Sequence, residues 1–159
     1  MLNPLQIANL RLSAHSFLKI PLLFFCRPKI IEMNERRTEI RIKLSRRTKN
    51  HLNSMYFGVL AVGADVAGGL ACYDKIMKSQ KNVSLIFKDF KADFLKRPEG
   101  DVHFICEDGL EVDRLLEETI TTGERVEYPL NIIAVVPSIS DEVVAKFVLT
   151  LSLKYKPKK

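Results

Sequence analysis

Residues 38–44 alternate strictly, with Ile40, Ile42 and Leu44 apolar and Glu39, Arg41 and Lys43 between them. A period of two with one charged side predicts an antiparallel strand buried on one face only. A short strand over 29–34 is expected just before it. From Val83 the apolar positions run Val83, Leu85 and Phe87, then Phe90, Ala92 and Phe94. The phase slips by one residue at Lys88-Asp89, which predicts a β-bulge that bends and twists a long strand. The turn Arg97-Pro98-Glu99-Gly100 follows, then a strand with Val102, Phe104 and Cys106 on one side. Residues 126–136 read as a long apolar strand, in which Pro129 implies an edge or a bulge. A last strand sets Phe147, Leu149, Leu151, Leu153 and Tyr155 against Val148, Thr150, Ser152 and Lys154.

Two helical patterns interrupt these strands. Residues 108–122 carry Leu110, Leu115, Leu116 and Ile120 among carboxylates and stop before Gly123, as a surface helix over the sheet edge would. Residues 55–77 are different. Val59, Leu60, Val62, Val66 and Leu70 surround that helix, and Gly58, Gly63, Gly68, Gly69 and several alanines fill most of the rest. Each interior glycine costs roughly 0.5–1 kcal/mol relative to Ala, so something must offset it, and close approach of other backbone is the usual cause. The predicted order is α-β-β-α-β-β-α-β-β. It describes an α+β fold in which a curved antiparallel sheet wraps a buried central helix, whose remaining face meets a second subunit.

The first 28 residues read as an N-terminal helix through about Leu18 followed by an apolar extension, FLKIPLLFFC over 17–26. Lys19 and Pro21 interrupt that run, which is far short of the ~20 apolar residues of a membrane span, and no small-residue cleavage site follows. It is expected to dock on the domain or a partner, and contact with a membrane surface is compatible with it. Residues 29–156 form the sheet domain and 157–159 a basic tail.

At 159 residues, 47% of them apolar, the chain suits one domain with a sizeable core. Trp is absent and aromatics are 8%, which argues against a stacking platform for single-stranded nucleic acid. The net charge of +6 suggests polyanions or a phosphorylated ligand, yet no nucleic-acid module is present and no nucleic-acid partner is expected. Cys26, Cys72 and Cys106 are odd in number and far apart, and His15, His51 and His103 lack metal-ligand spacing. Neither a disulfide framework nor a metal site is expected, and a reducing cytoplasm is.

Between Tyr56 and Tyr73 the central helix holds one carboxylate, Asp65. A buried, unpaired carboxylate has a raised pKa or needs a partner, so Asp65 is a candidate general base or nucleophile. A structural Asp bonded to backbone amides or to an Arg across an interface is the alternative.

The window from Asn50 to Asp65 reads Asn-His-Leu-Asn-Ser-Met-Tyr-Phe-Gly, then Val-Leu-Ala-Val-Gly-Ala-Asp. It resembles the signature of PaaI-like hotdog thioesterases: an Asn in the loop before the helix, His-Gly-Gly at its start, and an acid two turns on. Asn50, Gly58 and Asp65 fall on the Asn, the second Gly and the acid. Asp93-Phe94-Leu95-Lys96-Arg97-Pro98 with Gly100-Asp101 is similar to that family's third-strand end and turn. Tyr56 stands where the family has His, and Phe57 replaces the first Gly. Tyr56 can still donate a hydrogen bond, whereas Phe57 narrows the mouth of the site.

The resemblance implies a hotdog fold and hydrolysis of acyl thioesters, with coenzyme A present as part of the substrate and no separate cofactor. The Gly58 N–H would receive the thioester oxygen near the positive end of the helix dipole, Asp65 would activate water or attack, and Asn50 would position water or carbonyl. Gly58 and Asp65 are seven residues apart, roughly 10 Å along the axis at ~1.5 Å per residue. The site should therefore combine Gly58 and Asn50 of one subunit with Asp65 of the other, in a homodimer that could pair again. Tyr56, Phe57 and His51 are further substrate-side candidates, and Lys81, Lys96 and Arg97 are candidates for the coenzyme A phosphates. A non-catalytic acyl-binding protein on the same scaffold is the competing reading, favoured by Tyr56 and Phe57.

Overall fold

The computed structural model describes residues 3–157, so Met1 and Leu2 of the N-terminal extension and Lys158 and Lys159 of the basic tail lie outside the described residues. Helix α1 (Pro4–Lys19) starts at Asn3, which exchanges hydrogen bonds with Gln6 in a capping box. Pro21 cannot continue it, and the apolar extension forms a second short helix, α2 (Pro21–Cys26). Then follow β1 (Lys29–Met33), β2 (Thr38–Ile42), α3 (Phe57–Ser79), β3 (Val83–Phe94), β4 (Val102–Cys106), α4 (Gly109–Thr122), β5 (Arg125–Val136) and β6 (Ser140–Tyr155). The six strands make one antiparallel sheet in the order β1-β2-β4-β5-β6-β3. This sheet curls around α3, the hotdog arrangement.

Alternation decides which side faces the helix. Ile40 and Ile42 of β2, Phe104 of β4, Ile132 of β5 and Leu149 and Leu151 of β6 are fully buried, each contributing roughly 1.5–3 kcal/mol by removal of apolar surface from water. The β1 edge is covered by α1, where Asn9 accepts the Ile30 N–H at 2.8 Å and donates to the Ile30 carbonyl at 3.0 Å. The expected bulge lies between Phe87 and Phe90, and the Asp89 carboxylate there accepts the Thr150 N–H of β6 at 3.3 Å. Pro129 pairs with Thr150 of β6 on one side and has no partner strand on the other among the described residues, so it lies at a local edge and not at a bulge. The ladder with β4 covers only Ile132–Val135, and the neighbouring outward N–H, that of Asn131, is taken by Asp108 at 2.6 Å.

Four expectations need correction. The closest approach to the helix glycines is made by side chains: a Cβ on Gly63 would overlap the Phe104 ring, whose atoms are its nearest neighbours. Backbone does crowd Gly109, where a Cβ would strike the Glu35 and Arg36 carbonyls of the β1–β2 turn. Leu110 is exposed, and α4 packs through Val112, Leu115, Leu116 and Thr119. The face carrying Phe90 and Phe94 is largely exposed, because β3 is the outer strand of the sheet, with no neighbour beyond it among the described residues. Finally, Asp65 is on the outward face of α3, not in the core.

Candidate active site

The chain enters α3 through a tight loop. Lys49 and Met55 form an isolated bridge, the Tyr56 N–H donates to the Thr48 carbonyl at 2.8 Å, and the Met55 N–H donates to the Pro98 carbonyl at 2.9 Å. That last bond fastens the Arg97–Gly100 turn to the base of the helix. Within the loop, the Asn50 side-chain oxygen accepts the Leu52 N–H at 2.8 Å and the Ser54 N–H at 3.2 Å, while its amide donates to Ser54 Oγ at 3.1 Å. Asn50 thus shapes the loop with most of its hydrogen-bonding capacity, and one amide N–H is left over. His51 is an exposed side chain on the same turn.

Tyr56 is the N-cap of α3 and makes no side-chain cap bond. Among the described residues, neither the Phe57 N–H nor the Gly58 N–H has an acceptor. Two donors are therefore free at the positive end of a 23-residue helix, where they would stabilise an oxyanion. The Tyr56 ring leans over Gly58, since a Cβ there would approach Tyr56 Cε1 to 2.7 Å. Its neighbour Phe57 is 59% exposed and packs on Tyr56 with ring centroids 4.8 Å apart.

Asp65 is on the same side of α3 as Gly58, about two turns on, because seven residues return the helix almost to its starting angle. It is exposed on the single chain, and among the described residues it has neither a hydrogen bond nor an ion pair. The protein around its carboxyl already hinders hydration and pushes the pKa above the ordinary aspartate range. Cys72 and Cys106 offer no rival nucleophile. Burial pushes their thiols up to about 12 and about 11, so neither is a thiolate at neutral pH.

The candidate phosphate ligands separate into two places. Lys96 and Arg97 follow β3 next to the turn tied to Met55, and Lys96 is paired with Glu142. Lys81 precedes the other end of β3, roughly 35 Å away along an extended strand at ~3.3 Å per residue. One chain does not bring them together. The aromatic rim of Phe57, Phe94 and Phe90 escapes a sequence reading that gives Phe90 and Phe94 only as apolar positions of a long strand. The phase slip at Lys88-Asp89 is the signal that could have flagged it, since a bulge re-aims the side chains that follow it.

A family model described as a domain of unknown function, DUF4442, matches residues 9–152. No curated relative matches the sequence. Among solved structures, a protein of unknown function from Chlorobaculum tepidum TLS superposes with a TM-score of 0.80 at 14% identity, covering 94% of this chain and 95% of its own. A Pseudomonas aeruginosa protein of unknown function, described as a probable thioesterase, gives 0.74 at 21% identity over 92% of this chain and 96% of that one. A thioesterase from Haemophilus influenzae gives 0.68 at 15% identity over 98% and 93%. These likenesses establish the fold.

Proposed function

Because the chain belongs to the DUF4442 family and has the fold of hotdog thioesterases, we propose that it hydrolyses acyl thioesters, coenzyme A esters foremost, at the interface of a homodimer. The observation that carries this reading is Asp65: a carboxylate without a partner, raised in pKa, on the outward face of the central helix in line with free N–H donors at its start. In the proposed reaction the thioester oxygen accepts hydrogen bonds from the Phe57 or Gly58 N–H. Asp65 takes a proton from water as the water oxygen attacks the carbonyl carbon. The tetrahedral oxyanion then collapses, the C–S bond breaks, and the thiol leaves with the proton returned by Asp65.

The axial separation of Gly58 and Asp65, about 10 Å, supports a site completed by a second copy. So does the free edge of β3. An antiparallel β3–β3 pairing would also carry Lys81 of the partner subunit toward Lys96 and Arg97, where the three cations suit phosphates. A reducing cytoplasm is the proposed setting.

Thiol release from short, long and aromatic acyl-CoAs tests the reading. Turnover by the wild type that Asp65→Asn abolishes, with folding retained, is the expected result. Turnover that persists in Asp65→Asn would overturn the mechanism. The competing reading, an acyl-binding protein without catalysis, is favoured by the Tyr56 ring over Gly58. Calorimetric binding of acyl-CoA with no thiol release would select it.

A further inference from the structure

Helix α1 is apolar on the wrong side. It packs inward through Ala8, Leu12 and Ser16, so its opposite side should be polar. Instead Ile7, Leu10, Ala14, Phe17 and Leu18 form an outward stripe at i, i+3, i+7, i+10 and i+11. Phe17 is 62% exposed and Leu18 73%, and the exposed Leu22 and Phe25 of α2 continue the surface. Single exposed apolar residues need no explanation, but a contiguous stripe marks an interaction surface.

Charge says what covers it. Residues 1–31 hold Arg11, Lys19, Arg27 and Lys29 and no carboxylate, and residues 43–49 hold Lys43, Arg46, Arg47 and Lys49 and again none. The Arg47 guanidinium lies 5.6 Å over the Phe25 ring, so the basic loop and the apolar helices form one surface. None of the eight cations is ion-paired among the described residues. They are eight of the chain's 25 basic side chains, which leaves 17 against 19 acidic ones, so the excess positive charge is concentrated here.

We infer that the outer face of α1 and α2, with the 43–49 loop, docks on an anionic lipid bilayer, the helices lying in the interface with Phe17, Leu18, Leu22 and Phe25 inserted and the cations against the headgroups. A second copy of this chain fits poorly, because a two-fold contact through this face brings its basic side chains, Arg47 beside Phe25 among them, against those of the copy. The sheet also leaves another route to self-association, since β3 is at the opposite end of the strand order from β1, where α1 packs.

Co-sedimentation of the full chain with phosphatidylcholine vesicles, alone or equimolar with phosphatidylglycerol, tests the inference. The protein should pellet with the anionic vesicles only, and high salt should release it. Arg46→Gln with Arg47→Gln should weaken binding about twenty-five-fold, at about five-fold per cation. Phe17→Gln with Leu18→Gln should weaken it ~ten-fold or more. These side chains are exposed, so circular dichroism and the melting temperature should be unchanged. No pelleting, equal pelleting on neutral vesicles, or anionic binding that neither double variant reduces would each overturn it. So would an assembly of the lipid-free protein that Phe17→Gln with Leu18→Gln dissociates, since a second copy would then be the occupant.

Discussion

The rings of Phe57 and Phe94 meet edge to face with centroids 6.3 Å apart, joining the first residue of α3 to the last residue of β3. Phe94 in turn meets the fully buried Phe147 at 6.2 Å, so an exposed ring at the helix start is braced on the core. On the proposed reaction, Phe57 forms the wall of the acyl entrance. Phe57→Ala should raise kcat/KM for an aromatic acyl-CoA relative to a linear one by about ten-fold, because the removed ring is about the volume the bulkier acyl group needs. An unchanged ratio across the substrate panel would place the acyl path elsewhere.

The raised pKa of Asp65 carries a sign for stability. The folded chain keeps the proton to a higher pH than the unfolded chain, so it binds more protons in the window between the two pKa values. The contribution of Asp65 to stability is therefore greatest below the ordinary aspartate range and declines as pH rises through that window. Asp65→Asn should unfold at higher urea concentration than wild type at neutral pH, and the two curves should converge in acid. A variant stabilised yet without turnover is the expected pattern for a functional group that costs stability.

The strands are largely legible in the sequence because period-two alternation marks which positions share a face. Even the bulge at Lys88-Asp89 appears, as the phase slip between Phe87 and Phe90. Alternation does not say what covers a face, and that is why Phe90 and Phe94 read as one apolar face although both are exposed on the outer strand. The same limit applies to Asp65. Its isolation among apolar residues is legible, but its outward direction depends on how α3 rotates against the sheet. Long-range contacts such as Phe104 against Gly63 join distant strands and leave no trace in spacing. The Asn50 motif is legible as residue types, whereas the bonds from its side chain to Leu52 and Ser54 depend on loop geometry.

Two glycines should fail for different reasons. A Cβ at Gly63 overlaps the Phe104 ring, which is itself fully buried and has nowhere to go. Gly63→Ala should cost about 1–3 kcal/mol by overpacking. Gly123 has open space around it but a φ of +70° that ends α4. Gly123→Ala should cost about 1 kcal/mol through backbone strain, and Gly123→Asn less, since Asn tolerates this conformation. Urea denaturation of the three variants checks the ranking, and equal losses for Ala and Asn at 123 would contradict the backbone account.

The sheet face turned away from α3 holds a charge network whose pH dependence runs opposite to that of Asp65. Glu39 of β2 contacts His103 Nδ1 of β4 at 2.6 Å and accepts from Arg37 at 2.8 Å. Burial works to raise the Glu39 pKa, but the hydrogen bonds from His103 and Arg37 outweigh it and hold the carboxyl below the usual glutamate range. A depressed acid contributes stability above its unfolded pKa and loses it as pH falls through the folded value. Glu39→Gln should therefore cost on the order of 1 kcal/mol at neutral pH, given partial exposure, and should flatten the loss of stability on acidification. His103→Gln keeps the Arg37 contact and should show an intermediate loss. Because Glu39 points away from α3, thiol release by Glu39→Gln should match wild type wherever both are folded. A parallel fall in turnover would mean that the network reaches the site through β2 and the 43–56 segment.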